Sequence, residues 1–124
     1  MAGIRRFEEI QAWQQARMLV REIYRLCAQG KISRDFGLRD QICRAAVSTM
    51  SNIAEGFGRK SNKEFARFLD IARGSAAEVQ SLLYVALDVG YIHQHVFDQL
   101  YTTADKTTAL IAGFTHHLRP KPPT

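Results

Sequence analysis

The stretch SNKEFARFLDIARGSAAEVQSLLYVALDV, residues 61–89, decides the fold. Phe65, Phe68, Ala72, Ser75, Val79, Leu82, Ala86 and Val89 follow one another at alternating spacings of three and four. That is the period of one face of an α-helix, and no strand repeats it. Ser61 and Glu64 stand where a capping box needs a hydroxyl and a carboxylate for the first free N–H groups. Gly90 is a natural stop. At 1.5 Å per residue such a helix is about 40 Å long.

Working outward, the same period predicts three more helices. The first covers about 8–28, with Trp13, Ala16, Val20, Ile23 and Cys27 on one face. The second covers about 34–57, with Leu38, Ile42, Ala46, Met50, Ile53 and Phe57. The fourth covers about 94–118, with Phe97, Leu100, Ala104, Thr107, Ile111, Phe114 and Leu118. Residues 119–124 hold all three prolines and are expected to be a disordered tail. Helices of heptad-like period joined by short loops predict an all-α, up-down-up-down four-helix bundle filling a single domain, 1–124.

The third helix carries more apolar surface than one seam uses. Leu69, Ile71, Leu83, Tyr84, Val85 and Leu87 lie off it. In so small a chain the expected cover for a second apolar face is another subunit.

The bulk composition narrows the class. With 46% hydrophobic residues and little Pro or Gly, the chain has the make-up of a folded domain. No apolar run reaches the ~18–20 residues of a membrane span. No secretory leader precedes the acidic pair Glu8-Glu9, so a cytoplasmic location is expected, with no membrane contact. Cys27 and Cys43 sit among apolar neighbours and read as small buried hydrophobes. His93 with His95, and His116 with His117, have the wrong spacing for a metal site, and neither a metal nor a cofactor is expected.

The net charge is +5, and residues 1–73 hold 14 Lys/Arg against 8 Asp/Glu. That asymmetry suggests a basic face for nucleic acid or an acidic partner. Two clusters could form it. Arg17, Arg21 and Arg25 recur every fourth residue as a ridge on the first helix, a pattern able to track phosphates. The ridge lacks interleaved aromatics, so base stacking is not indicated. Arg59, Lys60, Lys63 and Arg67 cluster at the N-terminus of the third helix, where free N–H groups and the helix dipole favour anions.

A third group is a polar row on the second helix: Arg44, Ser48, Asn52, Glu55 and Arg59. It reads as a hydrogen-bonded network fixing helix register, with Arg44 pairing Glu55 or Glu78. The other reading is an acid–base site, but the sequence sets no histidine or second carboxylate beside Glu55. No catalytic residue is assigned, and an enzyme is not expected. Gly74-Ser75, in mid-helix, is expected to allow close helix packing. Tyr24, Tyr84, Tyr91 and Tyr101 read as core or interface.

The run Gln41 to Ser48, then Asn52-Ile53-Ala54-Glu55-Gly56 and Gly58-Arg59, resembles the signature of one bacterial family, the four-helix-bundle proteins encoded by intervening sequences in 23S rRNA genes. Phe65, Arg67-Phe68-Leu69, Ile71-Ala72 and Gly74 to Glu78 resemble it too, as do Trp13, Ala16 and Ile23-Tyr24. The similarity runs from about Phe7 to Leu118. It implies a left-handed bundle assembled as a ring-like homopentamer. It also implies kinship with the accessory variability determinant of diversity-generating retroelements, a basic pentamer that binds nucleic acid and a reverse transcriptase. Residues 29–36 lack the family's Pro-then-acidic turn, so the first connection should take its own form.

The expected function is therefore non-catalytic binding of nucleic acid, RNA in the first instance. Arg17, Arg21, Arg25, Arg59, Lys60, Lys63 and Arg67 would contact phosphates, and Arg44, Ser48, Asn52, Glu55 and Glu78 would hold the bundle's geometry. The alternative is a protein–protein scaffold with no nucleic-acid role.

Overall fold

A computed structural model of the chain describes residues 3–118, so the expected disordered tail, 119–124, lies outside the described residues. The four long helices are α1 (Gln11–Cys27), α2 (Phe36–Phe57), α3 (Asn62–Asp88) and α4 (Gln94–Leu118), and no strand occurs among the described residues. Each helix packs against its chain neighbours, and α4 closes back on α1. The diagonal pairs, α1 with α3 and α2 with α4, are nearly out of contact. This is a four-helix bundle whose buried apolar residues form two clusters.

The first helix starts later than its periodicity suggests. Phe7–Glu9 form a separate 3-10 turn, and the backbone is extended at Ile10, whose side chain is buried. The Glu9 carboxylate closes that turn by accepting from the Arg6 N–H at 2.9 Å and the Arg5 N–H at 3.2 Å. The second helix is also shortened. Lys31–Arg34 form a 3-10 turn, and Asp35 caps α2 by accepting from the Leu38 N–H at 3.2 Å. Gly30 and Gly90 take positive φ (70° and 81°), which lets the chain reverse after α1 and α3. At the start of α3, Ser61 Oγ accepts from the Glu64 N–H at 3.2 Å, but the Glu64 side chain makes no return bond.

The buried seam of α3 differs from the predicted one. Phe65, Leu69, Ala72, Ala76, Val79, Leu83 and Ala86 are buried, at spacings of four and three, with Leu82 beside them. This stripe and the predicted one share Phe65, Ala72, Val79 and Ala86, which lie seven apart. A heptad pattern leaves open which residue between them completes the seam. Leu69 and Leu83 are fully buried within the chain and do not need a second subunit to cover them. The exposed large apolar residues of α3 are Ile71, Tyr84 and Val85, and Val89 directly follows its end.

The core has two ends. One gathers Leu19, Ile23, Cys27, Leu38, Ile42, Val79, Leu83, Ile92, Phe97 and Leu100. The other gathers Ile10, Trp13, Ile53, Phe65, Leu69, Ile111 and Leu118. Here Phe65 packs edge-on to Phe57 at 6.1 Å and tilted against Phe114 at 5.4 Å. Burying each such side chain contributes about 1.5–3 kcal/mol. The buried hydroxyls of Thr49, Thr107 and Thr115 donate to the carbonyls four residues back, at 3.0, 2.8 and 2.8 Å. That is how polar atoms are satisfied inside helix seams.

Gly56 lies inside α2, where a Cβ would come within 2.8 Å of both Phe65 and Phe68. The close approach of α2 and α3 therefore occurs at Gly56. It does not occur at Gly74, where an added Cβ would meet nothing within 4 Å. The packing role expected of Gly74 is not seen, because Gly74 is on the exposed side of α3.

Candidate nucleic-acid interface

The seven basic candidates are all exposed, but they do not form one face. Arg17, Arg21 and Arg25 ride on α1. Arg59 and Lys60 are in the α2–α3 loop, and Lys63 and Arg67 open α3. Because α1 and α3 are diagonal, the two clusters point away from each other. Along the bundle, Arg21 and Arg25 neighbour the Leu19 and Ile23 end of the core, whereas Arg17, over Trp13, lies toward the Phe65 end, as do Lys63 and Arg67. Sequence distance along a helix is readable in advance, but which helices sit across the diagonal is not.

Ion pairs join Arg6 to Glu8 (2.9 Å) and Arg39 to Asp40 (3.0 Å), and neither involves a candidate cation. Two are held over rings: the Arg17 guanidinium 5.8 Å from the Trp13 centroid and Arg59 4.5 Å from that of Phe68. Glu22, the one acid within the α1 ridge, is turned toward α4, where Thr103 Oγ1 donates to its carboxylate at 2.9 Å. Lys63 and Arg67 share an open groove with Asn62, Glu64, Asp70 and Leu118, so acidic groups temper that cluster.

The polar row of α2 forms a network, though not with the expected partners. Ser48 Oγ hydrogen-bonds Ser75 Oγ of α3 at 2.8 Å. Asn52 Nδ2 donates to Ser48 O at 2.9 Å and to Ser48 Oγ at 3.0 Å. Gln41 Nε2, not Arg44, reaches Glu78, at 3.3 Å. Arg44 is exposed and pairs with neither Glu55 nor Glu78, and Glu55 is exposed as well. The reason is rotational: the row's ends turn to solvent, and only Ser48 and Asn52 face the α3 seam. Arg44, Ser48 and Glu78 line an open groove of about 680 Å³ with Phe36, Asp40 and Gln41.

This architecture agrees with the comparison to known proteins. The chain matches the model of the family described as 23S rRNA-intervening sequence protein over residues 8–113. It belongs to that family. A crystal structure of a protein of unknown function from the S23 ribosomal protein family of Bacteroides thetaiotaomicron VPI-5482 has the same fold, with a TM-score of 0.76 and 20% identity. The match covers 84% of this chain and 97% of that one. No curated protein matches the chain.

In this family member the sequence reading missed the exposure of Tyr24 and the bond of Tyr91 to Asp35, whereas the burial expected of Cys27 is found. Tyr24 is half exposed on the α1 ridge, whereas Tyr84 and Tyr101 both pack with Phe97, at 4.8 and 5.3 Å. Tyr91 Oη donates to Asp35 at 2.9 Å, tying the α3–α4 turn to the start of α2. Cys27 is buried, and Cys43 is half-buried beside it. Burial, and then the neighbouring Cys43 thiol, push the Cys27 thiol up to about 12. Among the described residues, no group of three or more His, Cys, Asp or Glu is arranged to hold a metal. No helix among them is long and apolar enough to cross a membrane.

Proposed function

We propose that this chain is a non-catalytic accessory protein that binds RNA through phosphate contacts, in the cytoplasm and as a self-associating bundle. The observation that carries the reading is the α1 ridge: Arg17, Arg21 and Arg25 exposed on successive turns, with the intervening Glu22 turned toward Thr103. Unpaired cations one turn apart match what a phosphate backbone requires. Membership of the 23S rRNA-intervening sequence protein family adds to the case for RNA. Two free thiols suit a reducing compartment.

Self-association rests on apolar exposure. Phe36 (62%) and Val47 (39%) on α2, with Ile71 (43%) and Val85 (44%) on α3 and Val89 (55%) just past its end, lie open on neighbouring helices. The left-handed, ring-like pentamer of the resembling family is the assembly we propose. The same surface supports a second reading, a protein scaffold in which these residues receive a different protein.

The test is fluorescence anisotropy with a structured ribosomal RNA fragment and a DNA duplex at two salt concentrations, beside sedimentation of the protein alone. Micromolar binding to RNA that weakens steeply with salt is expected. Absence of binding at low salt would remove the nucleic-acid reading and favour the scaffold.

A further inference from the structure

Of the chain's four tyrosines, three are engaged. Tyr84 and Tyr101 pack with Phe97 and with each other at 5.9 Å, and Tyr91 is bonded to Asp35. Tyr24 has neither a ring contact nor a hydrogen bond among the described residues, and it is 51% exposed. Its place on α1 is specific. At 3.6 residues per turn, Tyr24 falls about 20° around the helix from Arg17 and about 60° from Arg21. Arg25 follows it directly, and Met18, also half exposed, borders the same strip. The ridge is thus a row of arginines with one free aromatic face set among them.

We propose that this strip of α1 binds an unpaired nucleic-acid strand, with the Tyr24 ring stacked on a base and Arg17, Arg21 and Arg25 on the flanking phosphates. The inference rests on the nucleic-acid reading above and adds to it the form of the strand. Charge complementarity selects a polyanion, and the free ring selects one whose bases are accessible. In a duplex the base faces are occupied by their neighbours, and the major groove of A-form RNA is too deep and narrow for side chains to read. The major groove of DNA admits a helix, but one that protrudes. Here α1 is flanked on both sides by α2 and α4, and only its outer strip is free. Stacking on an aromatic residue with arginines on the backbone is the general mode for single strands, and it tolerates any base.

The test uses the full-length protein with a fluorescein-labelled single-stranded RNA and the duplex formed with its complement. It compares the wild type with Tyr24→Leu and Tyr24→Phe. Both replacements keep an apolar side chain at a half-exposed site, so folding should persist, and circular dichroism checks it. The wild type should prefer the single strand. Tyr24→Leu should weaken single-strand binding by about tenfold, the scale of one base–aromatic stack, and leave duplex binding unchanged. Tyr24→Phe should match the wild type. Equal binding of both probes, or single-strand affinity indifferent to Tyr24→Leu, would overturn the stacking site while leaving phosphate binding in place. Failure of both probes to bind would remove the nucleic-acid reading, and this inference with it, in favour of an acidic protein on the ridge.

Discussion

Ser48 and Ser75 meet across the α2–α3 seam, hydroxyl to hydroxyl at 2.8 Å. Asn52 adds a second contact to Ser48, so a three-residue polar bridge is set into an otherwise apolar boundary. Both serines are half-buried, which makes each hydroxyl's loss felt by its partner.

Replacing either serine by alanine should therefore cost about 1 kcal/mol, because a half-buried hydroxyl loses one partner. The double replacement should cost less than the sum, since no orphan remains on the Ser75 side. Urea unfolding of the two single variants and the double variant forms the cycle that measures this coupling. Strict additivity would mean that water replaces the bridge at no cost.

Gly56, near the end of α2, and Gly74, in the middle of α3, should behave in opposite ways. In Gly56→Ala the new methyl would stand 2.8 Å from Phe65 and Phe68, so α3 must shift away, at a cost of about 1–3 kcal/mol. In Gly74→Ala nothing obstructs the methyl, and relief of the glycine's entropy should stabilise the monomer by up to about 1 kcal/mol. Thermal melts of both variants decide this. A destabilised Gly74→Ala in the assembled protein would show that another chain approaches α3 there.

These residues show what the sequence made legible. Four helices, both ends of α3 and the start of α4 to within a residue, follow from the three-four period and from the Gly breaks. The capping role of Ser61 was readable from its spacing to Glu64. Which of two overlapping heptad stripes on α3 would be buried was not, because both contain Phe65, Ala72, Val79 and Ala86. That choice depends on how far α3 rotates against α2 and α4, and it decided that Leu69 and Leu83 are core. It also explains why Ser48 found Ser75 while Arg44 found neither Glu55 nor Glu78. The basic residues were legible as types and spacings. Their separation onto diagonal helices, and the exposure of Tyr24, are tertiary facts.

The Cys27 thiol should make stability fall in alkali. Burial holds it neutral and moves its pKa from 9.0 to about 12. Between those values the unfolded chain has released a proton that the folded chain keeps, so unfolding gains on folding as pH rises. Below about pH 9 both forms are protonated and the effect is flat. Tyr91 and Tyr101 are also raised, the first by its bond to Asp35 and the second by burial, and they act in the same direction. Cys27→Ala separates the contributions. Its melting temperature should decline less steeply than that of the wild type between pH 9 and 11, whatever its value at pH 7.

The separation of the two basic clusters makes the salt dependence of binding a structural measurement. Each phosphate neutralised on a single strand contributes about 0.7 to the slope of log affinity against log salt. Arg17, Arg21 and Arg25 together should therefore account for about 2. On one chain, a strand of about four nucleotides is taken up by the three arginines, which span about 12 Å of α1, and has no length left to round the bundle to Lys63 and Arg67 on the diagonal helix. Changing Arg17, Arg21 and Arg25 to Gln should remove about 2 from the slope for such a strand. Changing Arg59, Lys60, Lys63 and Arg67 to Gln should remove little, the more so because Arg59 already lies over Phe68 and acidic Glu64 and Asp70 share the Lys63 groove. If both sets flatten the slope equally with so short a strand, the two clusters must converge on it. Since one chain holds them apart, that result would require α1 of one copy to stand beside the start of α3 of another, and the same titration would then locate the contact between subunits.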